Sequence, residues 1–222
     1  MITIHHLENS RSLRVIWLLE ELGLDYEVKR YQRDPVTNLA PDAYKALHPV
    51  GKAPIVTVDD SAIAETGAII EYLMDRHPDA GLRPEAGDAM RDRYHYWMHA
   101  SEGSLMPLLV MSLFFTRMET VPPFFIRPIV KMVTGRIRDM YLTPSTTTML
   151  DYIEAELGKS DWFAGDKMTA ADIMMSFPVE AAMARVAGGR AMPNTQAWLE
   201  RIHARPAYQV AVKKGGEQEI LT

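Results

Sequence analysis

The rhythm of hydrophobic and polar positions changes about a third of the way along this chain. Before the change, short β-prone runs alternate with helical ones. Ile2-Thr3-Ile4 reads as a strand, and Leu7 to Ser12 as a polar loop rich in capping residues. Val15, Leu18, Leu19 and Leu22 then fall on one helical face, and Gly23 ends that helix. Tyr26 to Tyr31 alternates weakly and predicts a second strand, so the opening is a right-handed strand–helix–strand unit. Pro35 and Pro41 bound a loop, and residues 42–47 predict a short helix. Ile55 to Val58 and Ser61 to Ala64 predict a hairpin about Asp59-Asp60. A helix from Glu65 to His77 follows, burying Ile69, Ile70, Leu73 and Met74.

After the turn-rich stretch His77 to Pro84, no further strand is predicted. Long helical segments run over about 87–115 and 126–157, separated by Pro122-Pro123. Thr169-Ala170-Ala171-Asp172 has the form of a capping box opening an apolar helix, so Asp172 is assigned a structural role. Pro193 starts a further helix carrying Trp198 and Ile202. The fold class is thus α/β plus all-α: a small domain at 1–80, then an all-helical domain at 87–222, with no internal repeat.

Composition narrows the function. The 222 residues carry a formal charge of −5 and no long basic run, which argues against nucleic-acid binding. The N-terminus does not resemble a signal peptide, and the longest apolar stretch, Pro107 to Phe115, is too short to span a bilayer. These features predict a cytoplasmic protein without a membrane span. With no cysteine, the protein has no disulfide, thiolate metal site or nucleophilic thiol of its own. Any sulfur chemistry must use a ligand's sulfur. His95 and His99 lie one helical turn apart but have no third ligand nearby, so no metal is expected.

The candidate chemistry lies in the first domain. Gly51-Lys52-Ala53-Pro54 opens a strand, and a cis bond before Pro54 would turn the Ala53 amide and carbonyl outward as a sheet edge. A ligand with a peptide backbone pairs with such an edge as an added strand. Glu65-Thr66 offers a carboxylate for an ammonium, and a hydroxyl beside helix-start N–H groups for a carboxylate. Lys52 is placed to reach a ligand carbonyl or carboxylate, with Lys45 and Arg33 as weaker candidates. Asn9, Ser10, Arg11 and Ser12 lie before the first helix. They either cap it or polarise a ligand thiol, since a hydrogen bond to a thiolate favours the ionised form. The aromatic and Met-rich run from Tyr94 to Phe115 is mostly core, with flexible thioethers suited to varied apolar ligands.

The order of these features resembles a cytosolic glutathione S-transferase over nearly the whole chain. Asn9-Ser10-Arg11-Ser12-Leu13-Arg14 followed by Trp17 to Gly23 is similar to the fungal and bacterial subgroup with a serine-type loop. The resemblance implies a thioredoxin-like N-terminal domain holding glutathione as cosubstrate, and a helical bundle supplying the pocket for a hydrophobic electrophile. It implies that Ala53 pairs with the cysteinyl portion, with Pro54 cis. It also implies that Glu65 and Thr66 hold the γ-glutamyl group and that Lys52 approaches from the other side. Ser10 is the first choice for the thiolate hydrogen bond, Asn9 a competitor and Arg11 a lesser one. The resemblance further implies a homodimer, in which Glu102 would reach a neighbour's ligand. Glutathione transfer and glutathione-dependent peroxide reduction both use an activated thiolate. A non-catalytic binding or regulatory protein and a glutathione-dependent isomerase are the alternatives. Asn9-Ser10-Arg11 departs from the Ser-Ser-Cys-type loop of the isomerases.

Overall fold

The computed structural model describes residues 1–216; the end of the expected helical domain, 217–222, lies outside the described residues. Four strands form one mixed sheet in the order β2-β1-β3-β4. β1 (Ile2–Leu7) and β2 (Tyr26–Tyr31) are parallel and joined by α1 (Leu13–Glu21). β3 (Ile55–Val58) runs antiparallel to β1 and forms a hairpin with β4 (Ser61–Ala64). Asp59 makes that two-residue turn with a φ of 52°. β1 is longer than its apolar pattern predicts because His5, His6 and Leu7 pair with Lys29, Arg30 and Tyr31. Backbone pairing with a neighbour extends the strand past the point where side-chain alternation fades. The short helix α2 (Asp42–Lys45) and α3 (Thr66–Arg76) complete this half.

α1 is buried on more than its predicted stripe. Leu13, Val15, Ile16, Trp17, Leu18 and Leu19 are all buried. Its other faces are covered by α3, by α8 (Ala170–Arg185) and by α10 (Pro206–Gly215), so the helix is the seam between the two halves. Each such fully buried apolar side chain contributes about 1.5–3 kcal/mol. Trp17 meets Tyr208 of α10 edge-on at 5.1 Å, and Arg205 grips Glu21 through both guanidinium arms at 2.6 and 2.7 Å.

The helical half comprises α4 (Arg91–Ala100), α5 (Met106–Thr120), α6 (Arg127–Ile137), α7 (Thr143–Leu157), α8, α9 (Pro193–His203) and α10. The helical segments expected over about 87–115 and 126–157 are each interrupted by a π-helical turn. A π-helical turn at Ser101–Leu105 joins α4 to α5, and another at Arg138–Leu142 joins α6 to α7. A π-turn adds a residue without leaving the helical path, so the apolar pattern slips by one position but carries no break signal such as Pro or Gly pairs. The core of this half is an aromatic chain: Trp97 packs on Phe163 at 4.5 Å and Phe163 on Trp198 at 4.9 Å.

Asp172 ties that core together. Its fully buried carboxylate accepts from the Phe163 N–H at 3.0 Å, the Thr169 N–H at 2.9 Å and the Trp198 indole N–H at 3.0 Å. It is the capping-box acid of α8, as the sequence predicts. Burial raises its pKa above the usual carboxylate value, against the pull of these donors.

Candidate functional site

The loop between β1 and α1 is held from outside by Arg33. Its guanidinium donates to the carbonyls of Glu8 at 2.9 Å and Asn9 at 3.1 Å, so Arg33 fastens the loop. Asn9 takes a φ of 49°, a left-handed conformation that asparagine adopts more readily than most residues. The chain then turns inward. Ser10 and Ser12 are buried with their oxygens 2.7 Å apart, and the Ser12 oxygen is 2.7 Å from Nδ1 of buried His6. Ser12 occupies the N-cap position of α1 but makes no side-chain capping bond. These hydroxyls thus form a hydrogen-bonded line running back to β1. Burial pushes the His6 imidazole below its ordinary pKa.

Two residues into α1, Arg14 is almost wholly buried. It donates to Thr66 Oγ1 at 3.1 Å, Glu102 Oε1 at 2.6 Å and the Met174 carbonyl at 2.7 Å. One side chain thereby joins α1, α3, the π-turn and α8. Its Nε is buried without a partner among the described residues. Burial lowers the Arg14 pKa, while Glu102 opposes that effect. Arginine has no acceptor and stays charged, so a fixed cation stands behind Thr66. Arg11 pairs with the other oxygen of Glu102. Glu102 is thus bound within its own chain, by the loop arginine and the buried one.

Across from this loop, Gly51 takes a φ of 58° and lies so close to α2 that a Cβ would sit 3.3 Å from the Lys45 backbone. Only glycine suits both demands. The Ala53–Pro54 bond is cis, as expected. Among the described residues no hydrogen bond engages the Ala53 backbone. Glu65 is exposed and takes a φ of 73° and a ψ of 126°, a region costly for a residue with a side chain, by about 1–3 kcal/mol. Thr66 starts α3, and the first helical bond runs from Ile69 N–H to the Glu65 carbonyl at 3.0 Å. The N–H groups of residues 66–68 therefore face outward from the helix start.

The structure brings Arg11 and Thr66 together through Glu102 and Arg14, and it sets Ser10 in the same loop. Lys52 is exposed. Lys45 is committed to Asp42 at 3.0 Å. Sequence reasoning missed Arg14 and His6 and did not foresee the partners of Glu102 and Ser12. Arg14 lies four residues before Leu18, on the apolar stripe itself, and a cation there is the signal that could have found it. Glu102 depends on the π-turn, whose one-residue shift of register changes the face on which it lies. His6 and Ser12 look like a strand end and a cap until the fold aligns them.

The family model "Glutathione S-transferase, N-terminal domain" matches residues 1–75, and "Glutathione S-transferase, C-terminal domain" matches residues 115–206. The chain is 39% identical over 214 residues to glutathione S-transferase 3 of Schizosaccharomyces pombe, covering 96% of this chain and 88% of that protein. It is 30% identical over 223 residues to glutathione S-transferase 1 of Saccharomyces cerevisiae, covering 96% and 95%. A crystal structure of a glutathione S-transferase from Actinobacillus pleuropneumoniae superposes with a TM-score of 0.82 at 32% identity, covering 99% and 95%. With both family models matched in order and 39% identity to a glutathione S-transferase over nearly its whole length, the chain belongs to the glutathione S-transferase family.

Proposed function

We propose that this protein binds glutathione between the Ala53 edge and the start of α3 and lowers the pKa of its thiol for attack on an apolar electrophile. The observation that carries this reading is the Arg14–Thr66 bond of 3.1 Å. Arg14 fills an acceptor position on the Thr66 oxygen, which leaves the Thr66 proton to donate away from the core. That donor, the free N–H groups at the start of α3 and the cation behind them favour a carboxylate. Exposed Glu65 is one residue away and suits the ammonium of the same γ-glutamyl group. The unpaired Ala53 amide and carbonyl suit the cysteinyl backbone as an added strand, and Lys52 approaches the peptide from the other side.

This placement brings the thiol toward the 9–12 loop. Ser10 is the first candidate to touch the sulfur, with Asn9 and Arg11 beside it. A hydrogen bond donated to a thiolate stabilises the charged form and increases its fraction at neutral pH. The Arg11–Glu102 pair fastens this loop to the π-turn that leads into α5. Exposed Val110, eight residues beyond Glu102, stands roughly 12 Å along that helix, with Phe114 one turn further. These side chains and half-buried Met111 supply an apolar wall for the electrophile. The exposed apolar residues Ile129, Met132, Val133 and Met140 favour a homodimer built on the α5–α6 side.

Isothermal titration with glutathione, followed by a panel of aryl halides and organic hydroperoxides, tests the proposal. Binding together with turnover of either electrophile class is expected. Binding without turnover would instead indicate a non-catalytic member of the family.

A further inference from the structure

We propose that the tip of the α5–α6 hairpin docks on an anionic phospholipid surface, with Phe124 and Phe125 entering the headgroup region and Arg117, Arg127 and Lys131 meeting the negative headgroups. The proposal does not depend on where glutathione sits. It begins with a hairpin built inside out. The seam between α5 and α6 is polar. Thr134, the buried residue of α6, donates to Glu119 at 2.7 Å, and Arg138 pairs with the same carboxylate at 3.2 Å. Arg138 also donates to the Thr116 hydroxyl at 3.2 Å. The large apolar side chains are left in solvent instead. Met118 and Val121 at the end of α5 are exposed, and Phe124 and Phe125 in the turn are 79% and 66% exposed. A hairpin that meets only water has the reverse order, with apolar groups in the seam and polar groups outside. So many large apolar side chains left uncovered together mark an interaction site.

The tip is a firm turn. The Arg127 guanidinium donates to the Pro122 carbonyl at 2.8 Å, and the Ile126 N–H to the Pro123 carbonyl at 3.0 Å. Phe124 and Phe125 meet edge to face with ring centres 5.6 Å apart. They stand beyond the end of α5, whose 15 residues span about 22 Å.

Charge selects the occupant. From Val110 to Arg138 the chain carries five cations, Arg117, Arg127, Lys131, Arg136 and Arg138, and one acid, Glu119. The whole chain nevertheless has a net charge of −5. Glu119 is taken by Arg138, and among the described residues Arg117, Arg127, Lys131 and Arg136 make no ion pair. A negative protein with one positive, aromatic tip approaches a negative surface tip first. Cations beside exposed aromatic rings are the chemistry of segments that lie in a membrane interface. A second copy seated on the tip would set cation against cation across a twofold axis. The tip therefore lies outside the α6 face, Ile129, Met132 and Val133, proposed for the homodimer. The hairpin rests on the bilayer and does not cross it, since among the described residues no helix is long and apolar enough to do so.

Flotation of the unaltered protein with lipid vesicles tests the docking. Binding to phosphatidylcholine vesicles with about 30% phosphatidylserine should be about 100-fold tighter than to phosphatidylcholine alone, from three cations near the surface. It should weaken as salt is raised from about 0.1 to 0.5 M. Phe124→Ser combined with Phe125→Ser should reduce binding by about 10–100-fold, with an unchanged urea midpoint and unchanged oligomeric state by light scattering. Phe124→Trp should keep binding, and brominated lipid in the vesicles should quench its emission while buried Trp17, Trp97 and Trp198 stay unquenched. Equal binding to both vesicles, or full binding by the double serine variant, would overturn the docking. A double serine variant that falls apart into monomers would also overturn it, because the tip would then belong to a second copy.

Discussion

Two helices of this protein begin with an acid and a hydroxyl, and the molecule treats them in opposite ways. At the start of α8, Asp172 is fully buried and accepts from Phe163, Thr169 and Trp198. At the start of α3, Glu65 is exposed at a φ of 73°, and Thr66 is bonded by Arg14 from behind. Asp172 has little left to offer a ligand. Glu65 and the α3 N–H groups have their capacity in hand. Buried polar groups that are fully paired hold a fold together. Unspent hydrogen-bonding groups at a strained backbone position point to a site that recognises something else.

The largest test of this contrast is Asp172→Ala. It leaves the Phe163 and Thr169 N–H groups and the Trp198 indole unpaired in the core. A loss of about 3–5 kcal/mol in urea unfolding is expected, from roughly 1–3 kcal/mol for each buried orphan partly relieved by relaxation. A loss below 1 kcal/mol would show that the hub matters little. Thr66→Ala should come next, weakening glutathione binding by about 10–100-fold through loss of a hydrogen bond to a charged group, about 1.5–3 kcal/mol. Unchanged affinity by calorimetry would remove Thr66 from the site.

Glu65→Gly separates strain from recognition at one position. Glycine adopts positive φ freely, so stability should rise by up to about 1 kcal/mol while glutathione affinity falls. A rise in both would refute the ammonium role. The smallest effect concerns pH. Burial lowers the pKa of both His5 and His6 from 6.5. The unfolded chain then binds protons that the folded one refuses, so stability is complete above pH 6.5 and declines as pH falls below it. Denaturant midpoints measured from pH 7.5 to pH 5 check the sign, and His6→Phe should flatten part of the slope.

Much of this was legible in the sequence, for reasons that differ from residue to residue. The Asp59-Asp60 hairpin, the α3 stripe and the Thr169–Asp172 box are local patterns, and each appears where the spacing places it. Glu65 and Thr66 were legible because acid, hydroxyl and helix start are neighbours in the chain. Arg14 was obscured because a cation among Leu13, Val15 and Ile16 is stabilised by partners as distant as Glu102 and Met174. The two π-turns rotate the helical register by one residue, so the position of Glu102 beside Arg11 was not readable. α10 was likewise unread, although Pro206 marks its start, since its role is tertiary cover for α1.

The central claim is that this chain binds glutathione and ionises its sulfur. The most direct measurement is a pH titration of thiolate absorbance in the complex of glutathione with the unaltered protein. A thiol pKa clearly below that of free glutathione is predicted. A bound tripeptide whose thiol titrates as it does in water would contradict the account.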